Sequence, residues 1–175
     1  MAMRQVQDRF HARHDAVLRS YVYQISRRRT ALAKRHVWWI KRALDPGRIE
    51  RVAACLPGMN DFANFCERPQ DQTSTRVLVE RAEVACDGAL ILVRLAASHF
   101  LWKMVRRVVG ALVRVGAGEL NERDFEALVR GGAIRGLSTA ESTAPPSGLF
   151  LERVIYAGDP PLPALAAAVP VSEEP

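Results

Sequence analysis

The sequence predicts an α+β domain in which an antiparallel sheet carries its helices on one face. Three observations point there. Two segments rich in strand-forming residues flank Asp87-Gly88, a tight-turn signal in which both residues tolerate positive φ. Stretches with helical periodicity lie between such hairpins, which is the order of a segregated architecture. The 175 residues are 49% hydrophobic and 25% charged, enough for one domain with a buried core and unlike a disordered chain.

The elements follow in order. Leu18 to Ser26 alternates and is rich in strand formers, so Arg19, Tyr21, Tyr23 and Ile25 share one side of the sheet. A polar connection, Arg27-Arg28-Arg29, leads to a second short strand around His36-Val37-Trp38-Trp39-Ile40. Asp45-Pro46 opens a helix with an N-cap acid and a proline at the first helical position. Its apolar stripe is Ile49, Val52, Ala53 and Leu56, and Pro57-Gly58 stops it. Gly58 to Phe65 reads as a loop, followed by a polar stretch from Glu67 to Thr75.

Strands are expected over about Arg76 to Cys86 and Ala89 to Ser98. Ser98 then caps the longest helix, Phe100 to about Val115, which Gly116-Ala117-Gly118 ends. A shorter helix starts at Asn121 as cap, with Asp124 three residues on, and stops at Gly131-Gly132. After a loop from Ser142 to Gly148 comes a last strand, Leu149 to Tyr156. One domain therefore spans residues 1–158, and the Pro- and Ala-rich residues 159–175 are expected to form a mobile tail. The sheet face away from the helices would be open, a place where a sheet can receive RNA.

Lys plus Arg number 25 against 19 Asp plus Glu, a formal charge of +6. That excess suits a polyanionic partner, nucleic acid first. No window approaches the roughly 20 apolar residues of a membrane helix. Met1 to Phe10 is polar and lacks the core of a secretory signal, so a cytoplasmic protein is expected. Cys55, Cys66 and Cys86 form no C-x-x-C pair, and His11, His14, His36 and His99 add no zinc spacing. The thiols are expected to be buried and reduced, with no metal and no cofactor.

At about 100° per residue, Leu101, Met104, Val105, Val108, Ala111, Leu112 and Val115 fill one arc of the long helix. Lys103, Arg107 and Arg114 share the opposite, solvated side. Arg106 belongs to neither, with Trp102, Val109 and Val113 as neighbours on the cylinder. A guanidinium cannot be neutralised, so among apolar neighbours it is either paired or snorkelling. Periodicity leaves both readings open.

Four segments, in order, resemble the tRNA pseudouridine synthase A family. Phe10-His11-Ala12-Arg13 followed by Arg19-Ser20-Tyr21-Val22-Tyr23 resembles its F-H-A-R…R-x-Y-x-Y segment. Gly58-Met59-Asn60-Asp61-Phe62 is similar to its G-x-x-D-F loop. Phe100 to Gly110 resembles its F-L-x-x-M-V-R-x-I-V-G helix, and Gly148-Leu149-Phe150-Leu151 its G-L-x-L strand. The resemblance implies a tRNA-modifying isomerase that turns uridine into pseudouridine in the anticodon arm without cofactor or metal. It also implies a fold of two α+β halves with a basic cleft between them, homodimers, and a chain that corresponds to the C-terminal half. Tyr21 takes the place of the active-site tyrosine that packs on the target base. Arg106 takes that of the basic residue paired with the catalytic aspartate, and Leu149 lines the base pocket. Arg27, Arg28, Arg29, Lys34 and Arg35 are candidate RNA contacts on the strength of their charge.

One departure matters chemically. The family's R-T-D-A-G-V-H segment, which carries the nucleophilic aspartate, has no counterpart here. Arg13-His14-Asp15-Ala16 imitates it, but Val17 stands where the glycine belongs, and the string falls inside the F-H-A-R segment. Asp15 is therefore not expected to be the nucleophile. Tyrosine and arginine can position a base and stabilise charge, but neither replaces an attacking carboxylate. The chain alone is expected to bind RNA poorly and to isomerise nothing. It would associate with a missing N-terminal half, be a fragment of a longer frame, or be a catalytically inactive relative that binds RNA or a partner.

Overall fold

Strand-forming residues with alternating faces build the central strand, β1 (Ala16–Ser26), in the computed structural model, which describes residues 6, 8–67 and 74–171. Parts of the polar start, of the stretch from Glu67 to Thr75 and of the tail lie outside the described residues. Tyr21, Tyr23 and Ile25 face the helices, as alternation predicts, and Ser20, Val22 and Gln24 face the other way. The remaining strands are β2 (Trp38–Trp39), β3 (Gly58–Asp61), β4 (Arg76–Asp87), β5 (Leu90–Ala97) and β6 (Leu149–Tyr156).

Their order is β3-β4-β5-β1, and β1's other edge is shared by β6 and β2. β4 and β5 form the hairpin expected at Asp87-Gly88, with Asp87 opposite Leu90. All pairs are antiparallel except β1 with β2, where Ile25 faces Trp38 in parallel. The sheet is thus mixed, because residues 27–37 carry the chain back before it pairs instead of turning it in a hairpin. A second difference is β3, within the segment read as a loop. Gly-Met-Asn-Asp has no strand propensity, and its pairing with β4 supplies the ladder that the sequence does not announce.

The helices are α1 (Pro46–Ala53), α2 (Met104–Gly116) and α3 (Glu122–Val129). Two begin as their caps predict. Asp45 Oδ1 accepts from Arg48 N at 3.1 Å, and Asn121 Oδ1 from Asp124 N at 2.8 Å. The third does not. Ser98 N donates to Leu78 O and its Oγ contacts His99 Nδ1, so it extends the sheet's hydrogen bonding instead of capping a helix. α2 starts at Met104, after Lys103 takes a left-handed conformation with φ 63°.

The apolar arc of α2 is buried as expected, together with Val109 and Val113. Arg107 is not on a solvated face. Its side chain is only 12% exposed, and a terminal nitrogen donates to Cys66 O because residues 66 and 67 close over it. Nor are all three thiols buried. Cys66 is, but Cys55 is half-buried, with burial pushing its thiol up to about 11, and Cys86 is exposed.

The face away from the helices is covered. Leu90 and Leu92 with Ala33 and Val37 pack under Leu165, Ala167 and Val171, and Ala96 and Ile155 under Leu162. Between these clusters Arg94 is fully buried. Its Nε and one terminal nitrogen grip both oxygens of Glu152, and the other terminal nitrogen reaches Glu83 at 2.9 Å. The remaining donors go to the carbonyls of Pro163 (3.1 Å) and Ala164 (3.3 Å). Gln24 exchanges two hydrogen bonds with Val169. Residues 162–171, expected to be a mobile tail beside an open face, are held on that face because its polar groups need these carbonyls.

Candidate active-site cleft

Where β5 ends, residues 98–103 pass across β1 before α2 begins. Arg19, on the same side of β1 as Tyr21, fixes that passage by donating to Ser98 O at 2.6 Å and Ala16 O at 2.7 Å. Phe100 then meets Tyr21 edge-on, with ring centroids 5.0 Å apart and planes at 87°. The left-handed turn at Lys103 leaves Trp102 outside the helical arc and 65% exposed. A non-glycine residue in that conformation is held against an intrinsic preference, a feature that gathers at functional sites.

These segments enclose an open cleft of about 340 Å³. Tyr21, Phe100, Trp102, Arg106, Pro146 and Leu149 line it, with the start of α2 as floor. No carboxylate lines it among the described residues. At its edge the Lys103 ammonium bonds to Glu67 and holds that carboxyl below its usual range.

Arg106 is half-buried and meets neither of its two sequence readings in full. Its Nε donates to Ala144 O at 2.6 Å, and Ala144 N donates back to Arg106 O at 3.0 Å. The helix and the loop before β6 are thus tied at one point, and no carboxylate pairs with the guanidinium among the described residues. Tyr23, fully buried behind Tyr21, donates to Pro145 O at 2.7 Å. Burial pushes its hydroxyl well above the ordinary tyrosine range, and the nearby Arg106 charge only partly opposes this.

The sign of the consequence is fixed. Above about pH 10 an unfolded chain releases the tyrosine proton while the folded one keeps it, so stability falls as pH rises. Urea unfolding of the parent should lose up to about 1.4 kcal/mol per pH unit from this group there. Tyr23→Phe should lose the Pro145 bond but show a shallower alkaline decline.

The sequence model of the tRNA pseudouridine synthase family matches residues 52–157, more than half of the chain. The chain belongs to the tRNA pseudouridine synthase family. It is 39% identical over 153 residues to tRNA pseudouridine synthase A of Mesorhizobium japonicum, covering 86% of this chain and 60% of that protein. With the enzyme of the same name from Roseiflexus castenholzii it shares 35% over 181 residues, 99% of this chain and 65% of the relative. With that of Blochmanniella pennsylvanica the figure is 36% over 156 residues, 88% and 59%. The chain thus spans about 60% of the length of these curated relatives.

Within this member of the tRNA pseudouridine synthase family, Tyr21, Arg106 and Leu149 line the same cleft. The five cations named from the sequence do not line it. Arg27, Arg28, Arg29, Lys34 and Arg35 are exposed at and beyond the end of β1. Asp15 lies in the turn before β1, where its carboxylate accepts from His11 N at 2.8 Å. Sequence reading did not single out Phe100, Trp102 or Pro146 as cleft residues. Phe100 stood inside a recognisable motif, but nothing local signals the left-handed turn that throws Trp102 outward.

Proposed function

We propose that this chain forms the aromatic and guanidinium wall of a site that isomerises uridine to pseudouridine in tRNA. The observation that supports it is the convergence of Tyr21, Arg106 and Leu149 on one cleft. Its ring and hydrocarbon walls suit a base taken out of its stack, which needs packing and exclusion of water in exchange. Tyr21 packs on the uracil and Leu149 gives it an apolar contact. Arg106, anchored through Nε, leaves its terminal nitrogens for the carboxylate of the nucleophilic aspartate.

That carboxylate attacks the nucleoside, the base detaches, turns, and rejoins through carbon, so the product is an isomer of the substrate. The family's aspartate segment supplies it from an N-terminal half, and the assembled enzyme is a cytoplasmic homodimer. The residue set of the cleft agrees with this division, since no acid lines it among the described residues.

The test joins this chain to an N-terminal segment carrying Arg-Thr-Asp-Ala-Gly from a curated relative. Pseudouridine formation is then followed by tritium release from uridine-labelled tRNA. The joined protein should turn over, and Tyr21→Ala within it should abolish turnover. Full activity of Tyr21→Ala would remove Tyr21 from the site. No activity in any joined form, beside measurable tRNA binding, would favour a catalytically inactive RNA-binding relative.

A further inference from the structure

We propose that a second RNA-contacting surface, distinct from the cleft, lies at the end of β1. There Arg29 on Trp39 offers a stacking platform for an unpaired base, and Lys34 and Arg35 take the adjoining phosphates. This rests on the reading that the substrate is RNA.

The parallel register of β2 on β1 gives its two indoles opposite fates. Trp38 turns inward against Tyr23, with ring centroids 6.3 Å apart, while Trp39 remains 41% exposed. The Arg29 guanidinium lies 5.7 Å from the Trp39 ring centroid. Exposed aromatic rings and arginine guanidinium groups are the two kinds of surface on which splayed RNA bases stack, and here they lie side by side. Beside it, Thr30, Leu32, Ala33, His36 and residues 169–171 wall a hollow of about 260 Å³, with His36 stacked on Phe150 at 6.2 Å.

Uncompensated charge adjoins the platform, although exposed cations elsewhere, such as Arg81, Arg123 and Arg153, also form no ion pair with a described carboxylate. Arg42, Arg48, Arg51, Arg114 and Arg130, around the helices, each have a glutamate within 4 Å. Lys34, Arg35, Arg27 and Arg29 form no such pair with any described carboxylate. Cations left without counter-charge on a surface that also displays an indole fit a polyanion with π-faces, which is single-stranded nucleic acid. Ser26, opposite Trp39, is five residues from Tyr21, or about 17 Å along the strand. One RNA can reach both places only by crossing the β2 edge over several nucleotides, so the platform would hold the strand flanking the target.

The experiment measures binding of an unmodified tRNA transcript to the 175-residue chain by fluorescence anisotropy over a salt series. Lys34→Ala with Arg35→Ala should weaken binding several-fold at low salt and lower the log–log salt slope by about 1.4 to 1.8. Trp39→Ala should weaken it about ten-fold with the slope unchanged, because stacking is not counterion release. Arg29→Lys, which keeps the charge and spares the indole's packing, should show part of that loss with a parent-like melting curve. Arg123→Ala with Arg130→Ala, two exposed cations on α3 and at its C-cap, should change affinity less than two-fold. Parent-like binding by the Lys34/Arg35 and Trp39 variants overturns the proposal, as does equal weakening by the α3 pair or an absence of parent binding. If those variants bind like the parent while the joined enzyme makes pseudouridine, only this inference falls. If the parent binds no tRNA and the joined enzyme is inactive, the reading of the cleft falls with it.

Discussion

Arg94→Met is expected to lower the unfolding free energy by about 3–5 kcal/mol in urea titrations, the cost of breaking a buried ion pair from one side. All five guanidinium donors are engaged, two of them on Glu152. Burial opposes the charge, yet the carboxylates of Glu152 and Glu83 outweigh it and hold the guanidinium above its usual range. Methionine would fill much of the volume while leaving the largely buried Glu152 carboxylate with Ser20 Oγ at 2.7 Å as its remaining partner. Glu83 is more exposed, so water compensates its loss better. Replacing Arg94 and Glu152 together by methionine should recover most of the stability, since the penalty is an orphaned charge and not a missing contact. A single variant losing less than about 1 kcal/mol would mean that the cluster is solvated and weak.

Gly110→Ala is the second large effect, and its sign is informative. In an exposed helix the change would gain up to about 1 kcal/mol. Here the added Cβ would stand 1.7 Å from Ser142 O and 2.8 Å from Ser142 C. Backbone must move, and the expected loss is about 3 kcal/mol by urea unfolding, at the upper end for overpacking. The displaced loop carries Ala144, whose carbonyl holds Arg106 Nε. In the joined enzyme the same variant should therefore lower turnover beyond what its stability explains, assayed well below its melting temperature. Unchanged or increased stability would show that residues 139–145 do not press on the helix.

Local chemistry made much of the fold legible. Asp45-Pro46, Asn121 and Asp87-Gly88 each act within a few residues of themselves, and each begins or turns the element it announces. β3 was not legible, because its pairing depends on a partner strand 15 to 21 residues away and its own residues favour loops. The start of α2 misled for a related reason. Ser98 is a good cap in isolation, but its backbone continues the sheet's bonding, its Oγ meets His99, and the helix begins only at Met104. The covered outer face was invisible because Arg94, Glu152 and the carbonyls of residues 163 and 164 are far apart in the chain. In the cleft, alternation put Tyr21 on the correct face, and helical phase marked Arg106 as anomalous. Their chemical roles came only with resemblance, since neither a ring nor a guanidinium declares its ligand.

The chain order of the Arg94 cluster has a consequence for biosynthesis. Strand β5 is made long before Glu152 and the carbonyls of Pro163 and Ala164, so a nascent chain holds a cation with most of its acceptors still unmade. Closing the sheet around it must wait until residues 152–164 have left the ribosome, and that long-range step is slow by topology. A frameshift or protease cut shortly after Tyr156 would leave every helix and strand among the described residues encoded, yet release a product that cannot seal its own back.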